Sequence, residues 1–474
     1  MPDLEFLFHP RSIAIVGAPS DPANLAGGSV FVHALLESGY KGGIYPVNPR
    51  ACQIMGLDCY PDVGSVPGPV DHVICCIPAS GVPRLIGECS AKGVRSMSMF
   101  TAGYSEADGH DYETERRLAL LAREAGIRLL GPNCMGIHCP STGLSYQPGH
   151  SQEAGPVGVL CQSGGNSNVL KFMGDDRGIR FSKVISYGNA ADINEADLLE
   201  YFAGDPDTRV IAAYIEGTRS GPRFFKALAG AAAAKPVIVL KAGLTEAGQR
   251  AARSHTGSLG SPADIWNGLC RQAGAMQAHS LDHMLDLVET ALYMKPPPGT
   301  RAGIIGWGGG ASVLGTDTCE RLGLSVPQFS LRLKEELAGF RLAPGASVGN
   351  PVDSPVITMP SQLVNAMSVI AGSGEVDLLL VQMPLDVSHA LQRPSVWEAT
   401  GEAVLQGQER LGGVPLAIVR PHTAHPDSMA HFNAFRQRCA AAGVPLYPAF
   451  SQAASAISAF AWYHRWRTGR LFPT

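Results

Sequence analysis

The chain has 474 residues, 45% hydrophobic and 16% charged, with a formal net charge of −4. That balance excludes a disordered chain, predicts about three domains of ordinary size, and lacks the basic excess of a nucleic-acid-binding protein. No apolar run is long enough to span a bilayer, and the start "MPDLEFLFHPRS" has no basic flank followed by an apolar core, so neither a membrane anchor nor a signal peptide is expected.

Along the chain a short apolar run, a Gly/Pro turn and an amphipathic helix alternate. "SIAIVGA" (Ser12–Ala18) reads as a buried strand and "SVFVHALLESG" (Ser29–Gly39) as the following helix. "GIYPVNP", "DHVICCIP" (Asp71–Pro78), "RSMSMFTAG" and "IRLLGPN" (Ile127–Asn133) read as four further strands. Strands alternating with helices predict a parallel, doubly wound α/β sheet. A second unit opens near Gly155, with strands in "PVGVLCQ", "SKVISYG", "VIAAYIEG" and "PVIVLKAG". "KPPPGTRAG" (Lys295–Gly303) is the best linker by composition. A third unit then runs through "GIIGWGGG", "DLLLVQMP", "PLAIVRP" and "VPLYPAF" to a last helix at about Gln452–Arg467. The expected domains are therefore 1–150, 151–296 and 297–474. The similar openings "CQSGGNSNVL" and "GWGGGASVLG" point to a repeated fold in the second and third. The eleven cysteines fall mostly in apolar runs and none has zinc-finger spacing, which predicts free, buried thiols and a cytoplasmic protein.

In the first unit the loop "GAPSDPANLAGGSV", with Gly17 and Ser20, joins strand one to a helix, a place suited to phosphate. It is not G-x-G-x-x-G, so a plain NAD fingerprint is missing. After strand two, where NAD-binding folds carry an acid for the ribose, "VNPR" offers Arg50. An arginine there suits a ribose phosphate, as in CoA or NADP; a solvated turn arginine is the alternative. Ligands of such sheets lie at the carboxyl ends of strands. Pro78, Ala79 and the run Thr101–Gly103 with Ala102 are therefore candidate walls, or else ordinary turn residues. Asn133 in "GPNCMG" can orient a loop, and Cys134 is a small neighbour of the site, since no partner can be assigned to it as a nucleophile.

In the second unit Ser163, Gly164 and Gly165 follow a strand and open a helix, where the dipole carries about half a positive charge. The pattern resembles a nucleophile elbow but lacks its first glycine, so a serine hydrolase fits poorly. "AARSHTGSLGS" (Ala251–Ser261) reads as a polar loop that sets His255 among small residues, either facing a phosphate or on the surface. Glu216 ends a buried strand, where a carboxylate is solvated, paired, or holding an imidazole in one tautomer. His279/His283 and His422/His425 have metal-compatible spacing but no third ligand, and no metal is expected on this chain.

These stretches together resemble the ADP-forming acyl-CoA synthetases, kin of succinyl-CoA synthetase. The resemblance lies in "FHPRSIAIVGA", "GYKGGIYPVNPR", "GIRLLGPNCMGI", "QSGG", "YGNAADINEADLLEYFAGDPDTRVIAAYIEG", "KPVIVLKAG", "AARSHTGSLGS" and, in the third unit, "GNPVD" (Gly349–Asp353). It implies a Rossmann-like CoA-binding domain followed by two flavodoxin-like ligase domains. It implies a reversible reaction through an acyl phosphate and a phosphohistidine. By motif His255 is the phosphorylated residue, Glu216 supports it, and Ser163–Gly165 cradle the phosphate. Gly17, Ser20, Arg50 and Asn133 lie on the CoA-binding motifs. Two departures matter. The third unit opens with "GWGGGASV" (Gly306–Val313), which resembles a branch associated with aromatic acids. The family's nucleotide-binding ATP-grasp unit has no counterpart here, so ATP or ADP and Mg²⁺ are expected on a partner subunit, in a hetero-oligomer or dimer. Two other readings are a CoA-sensing scaffold, which would have no use for "SHTG", and an NADP-linked oxidoreductase, for which no catalytic acid or hydride path is found.

Overall fold

The computed structural model describes residues 3–19, 27–106, 112–256, 262–306, 308–340, 347–353, 360–383, 394–420 and 426–469, without the side chains of 252–256, 394–397 and 426–429. The inner strands of the first sheet are runs buried on both faces, as parallel strands covered by helices must be. Its strands are β1 (Ser12–Val16), β2 (Gly43–Val47), β5 (His72–Cys75), β6 (Ser96–Met99) and β7 (Arg128–Leu130). Between β2 and β5 a two-stranded ribbon intervenes, β3 (Gln53–Ile54) with β4 (Leu57–Asp58). The order is β2-β1-β5-β6-β7 and every pairing is parallel. Pro46 cannot donate to a ladder, and it lies on the edge strand β2, where that costs least. Val73, Met97 and Leu129 pack on Leu85, Ile86 and Leu118 from the covering helices Val82–Lys92 and Tyr112–Glu124. Each such buried aliphatic side chain contributes roughly 1.5–3 kcal/mol.

The second sheet contains β8 (Gly136–His138), β9 (Ala154–Cys161), β10 (Phe181–Ser186), β11 (Val210–Ile215), β12 (Val237–Lys241) and β13 (Met276–Ala278). Its order is β13-β12-β11-β9-β10-β8, parallel except for β8, which runs antiparallel to β10. The third sheet contains β14 (Ala302–Gly306), β15 (Val352–Asp353), β16 (Leu378–Gln382), β17 (Leu416–Val419) and β18 (Leu446–Tyr447), in the order β15-β14-β16-β17-β18. Leaving β8 aside, all three sheets place their strands 2-1-3-4-5. The repeat expected of the second and third units thus extends to the first. The chain also reverses direction across each sheet at the same place, between the first and third strands, which is where ligands of such folds lie.

Strand β8 lies before residue 150 yet belongs to the second sheet. The chain forms two compact units, one of residues 1–175 and 179–281 and one of residues 176–178 and 282–474, so the first two sheets share a unit. The helix Leu281–Tyr293 precedes the Pro-rich linker but counts with the third sheet, because its polar face is tied there. Within that unit Glu289 accepts from the Leu446 amide at 3.3 Å and from Arg436, and the Thr290 and Tyr447 hydroxyls lie 2.7 Å apart. Arg177 meets Asp286 at 2.6 Å and Asp282 at 2.9 Å. Among the described residues no helix is long and apolar enough to cross a membrane.

Candidate active site

The carboxyl edge of the first sheet is held by short polar links. Gly17 ends β1 with φ +96°, a conformation L side chains rarely adopt, and its amide donates to the Val47 carbonyl at 3.0 Å. The Asn48 amide group donates to the Ala18 carbonyl at 2.7 Å, while its oxygen accepts from the Arg50 amide at 2.9 Å. One side chain therefore fastens the turn after β2 to the loop after β1. Arg50 itself is exposed, and its guanidinium pairs with no carboxylate among the described residues. Pro78 is exposed before a single 3₁₀ turn, Ala79–Gly81, and Ala102 is exposed after β6. The Thr101 hydroxyl donates to the Ile77 carbonyl at 2.8 Å, and the Thr101 carbonyl accepts from the Asn133 amide at 3.0 Å. These bonds line up the ends of β5, β6 and β7. Ser20 lies outside the described residues.

In the second sheet the first and third strands, β9 and β11, carry the candidate phosphate residues. Ser163 follows β9 and its hydroxyl accepts from the Asn166 amide at 3.3 Å, opening the helix Gly164–Arg177. Gly165 is exposed with open space where a side chain would be. Glu216 directly follows β11 and is 6% exposed. Gln162 connects the two strands, its side-chain oxygen accepting from the Glu216 amide at 2.7 Å and the Gly217 amide at 3.0 Å. The Lys241 ammonium, at the end of β12, donates to the Glu216 carbonyl at 2.8 Å and to the Ala242 carbonyl. Burial lowers the pKa of Lys241, and the Glu216 charge opposes that shift. Burial first, and then the Glu216 charge, pushes the Tyr214 hydroxyl up. His255 does not sit on a loop as the small polar residues around it led us to expect: the helix Glu246–Thr256 runs through it. Ala247, Gln249, Arg250, Ala251, Ala252 and Arg253 are good helix formers, and after Gly248 the next glycine is Gly257. The His255 side chain is outside the described residues.

The two edges meet. A cavity of about 270 Å³ is lined by Asn133, Cys134 and Met135 from the loop after β7, and by Phe100 after β6. Facing them are Gln162, Ser163, Gly164 and Gly165, with Gly188 and Asn189 from the turn after β10. The approach is close. Asn133 takes φ +54°, and a Cβ on Gly188, whose φ is +56°, would overlap the Pro132 and Asn133 carbonyls. Cys134 is buried, and burial pushes its thiol up to about 12, which makes it a neutral wall and not a nucleophile.

Comparison with known proteins bears on this arrangement. The CoA binding domain model matches residues 11–140, and the succinyl-CoA ligase like flavodoxin domain model matches residues 154–291. The alpha subunit of acetate–CoA ligase (ADP-forming) II from Pyrococcus furiosus is 37% identical over 80% of this chain and 81% of its own length. The chain belongs to the ADP-forming acyl-CoA synthetase family. Acetate–CoA ligase (ADP-forming) from Methanocaldococcus jannaschii is 34% identical over 74% of this chain, a match that spans only 49% of that longer protein. The solved structure of dinucleotide forming acetyl-coenzyme A synthetase 1 from Ca. Korarchaeum cryptofilum, in complex with phosphate and ADP, matches over 100% of both chains. Its TM-score is 0.84 and its identity 31%.

Several residues of this acyl-CoA synthetase chain escaped the sequence reading. Asn189 is 2% exposed; its amide donates to the Pro132 carbonyl at 2.9 Å and its side chain to Glu115 at 2.6 Å and to Glu106. Arg219 pairs with Glu115 and donates to the Asn189 carbonyl at 2.9 Å. This buried cluster sets the turn that closes the cavity. Asn189 is a polar residue just past an apolar strand, which was the available signal. Gln162 and Lys241 gave the same signal. Of the histidines considered for metal, His283 lies 3.0 Å from the Ser455 hydroxyl, and His422 and His425 are outside the described residues. Among the described residues no three His, Cys, Asp or Glu side chains converge to hold a metal ion.

Proposed function

We propose that this chain is the CoA-binding, phosphohistidine-carrying catalytic subunit of an ADP-forming acid–CoA ligase. The reaction converts acid, CoA and ATP reversibly to acyl-CoA, ADP and phosphate. The observation that carries the reading is the cavity in which the loop ending the CoA-binding sheet faces the Ser163–Gly165 helix start. A helix start offers unpaired amides and about half a positive charge, and Gly165 leaves room for an anion to reach them. The first sheet fits CoA: Gly17 turns the chain away at the switch point, Asn133 orients the loop beyond β7, and Pro78, Ala79 and Ala102 wall the groove. Arg50 is available for the ribose phosphate. CoA supplies the thiol that receives the acyl group.

In the acid-activating direction the phosphoryl group leaves the His255 ring for the carboxylate of the acid, breaking an N–P bond and forming an O–P bond. The Ser163–Gly165 amides hold that phosphate while the thioester forms, and it departs as inorganic phosphate with the thiol proton. Glu216, buried at the end of β11 with its backbone fixed by Gln162 and Lys241, orients and supports the imidazole. A CoA sensor would have no use for this second set of residues. An ATP-grasp partner provides the nucleotide and Mg²⁺; that the P. furiosus relative is named an alpha subunit supports a separate partner. The eleven free cysteines fit a reducing cytosol.

Labelled inorganic phosphate and an acyl-CoA test the reading without nucleotide. The chain should acquire a label that is labile in acid and stable in base, as a phosphoramidate is. His255→Ala should abolish it, Glu216→Gln should slow it by about 10–100-fold, and Ser163→Ala should be milder because the amides remain. Normal labelling of the His255→Ala protein would place the acceptor elsewhere and overturn the mechanism.

A further inference from the structure

We propose that Phe100, braced by Phe31, is the residue that sets the size of the acyl group; this rests on reading the Ser163–Gly165 cavity as the place where the acyl phosphate forms. In an acyl phosphate a single oxygen joins phosphorus to the carbonyl carbon. A phosphate held at the helix start therefore keeps the carbonyl carbon two bonds from its phosphorus. The rest of the acyl group must run along whatever lines the cavity next. Of the side chains there, Phe100, Cys134 and Met135 are apolar, while Asn133, Gln162, Ser163 and Asn189 are polar and uncharged. Met135 packs on the phosphate loop itself, its Cγ 2.8 Å from where a Cβ on Gly164 would stand. Phe100 completes this end, and among the described residues no Lys, Arg, His, Asp or Glu lines the cavity.

Phe100 is 38% exposed, a large apolar residue left partly open in a protein that buries most of its described aromatic residues. It is also fixed. Its amide donates to the Cys75 carbonyl at 3.0 Å, anchoring the backbone to the end of the sheet. Its ring meets Phe31 edge-on, with centroids 5.5 Å apart at 70°. Phe31, on the helix Gly28–Glu37, is 1% exposed and has nowhere to retreat. An exposed ring with a rigid backing acts as a wall, and an apolar wall discriminates between acyl groups by volume, about tenfold or more per misplaced methylene.

The full chain, labelled inorganic phosphate and either acetyl-CoA or phenylacetyl-CoA measure this directly. A phosphate oxygen attacks the thioester carbonyl, the C–S bond breaks and the thiol takes a proton. The acyl phosphate then passes its phosphoryl group to His255, releasing the carboxylate. Phe100→Ala should raise the ratio of phenylacetyl-driven to acetyl-driven labelling at least tenfold, and Phe100→Leu should shift it in the same direction by less. Thermal unfolding identifies any variant that fails to fold, in which case the leucine variant decides. An unchanged ratio in a folded variant overturns the assignment of Phe100 while leaving the proposed function intact. Absence of label from wild-type protein with every acyl-CoA overturns the proposed function, and this inference with it.

Discussion

Arg50 stands where a nicotinamide site carries an acid; its backbone amide is held in the turn that Asn48 fastens, and its side chain is exposed. Its charge is therefore presented and not spent on an internal partner among the described residues. We expect calorimetry to show CoA binding better than dephospho-CoA. Arg50→Ala should weaken CoA by roughly fivefold, as exposed charge pairs do, and leave dephospho-CoA nearly unchanged. Equal affinities for the two ligands in the wild-type chain would remove the role given to Arg50. The strand-end positions of Arg50, Ser163 and Glu216 were legible in the sequence, because each follows a run that reads as a strand. Gln162 was not, because its importance lies in accepting from two amides 54 and 55 residues away.

Strand β5 shows what burial does to a polar residue in an element. His72 is 4% exposed, with its Nδ1 2.7 Å from the Ser96 hydroxyl on β6. Burial lowers its pKa from 6.5 to about 4. The unfolded chain takes up this proton near pH 6.5 and the folded chain only near pH 4. The stabilising effect of a neutral His72 is thus full above pH 6.5 and is lost as pH falls through about 4, at roughly 1.4 kcal/mol per unit. Denaturant titrations at pH 7 and 4.5 should show a smaller difference for His72→Gln than for wild type; an equal difference would assign the acid sensitivity to other groups. The paired Gly-rich openings are also an element-scale matter. The loop of the third sheet is capped by its own acid, since Asp353 at the end of β15 accepts from the Gly308 amide at 2.9 Å. In the second sheet a neutral hydroxyl, Ser163, does the capping. An anion approaching the third loop meets a carboxylate, so similar sequence openings differ in electrostatics. Trp307, which distinguishes that loop, is outside the described residues.

For the whole molecule, three sheets share one strand order, and the edges proposed for CoA and for phosphate both belong to the unit of residues 1–175 and 179–281. We expect the purified chain to give no acyl-CoA from acid, CoA and ATP until an ATP-grasp subunit is added. The nucleotide-free labelling should nevertheless proceed. Sustained ATP-driven turnover by the chain alone, followed by coupled detection of ADP, would show that no partner is required.

Strand periodicity, the Gly/Pro punctuation and the combination of "VNPR", "GPNC", "QSGG" and "SHTG" sufficed to determine the α/β class, the three sheets and the family, because these depend on local pattern. Short elements did not announce themselves: β8, β13 and β15 have two or three residues each and form only because a neighbouring strand end offers unpaired amides and carbonyls. The helix through His255 was hidden by small polar residues that composition assigns to loops. What only the tertiary structure decided is the meeting of Asn133 and Phe100 with Ser163–Gly165, and the burial of Asn189 against Glu115. Those contacts join segments tens of residues apart, and no local preference specifies them; they follow from how strand ends align once the sheets have packed.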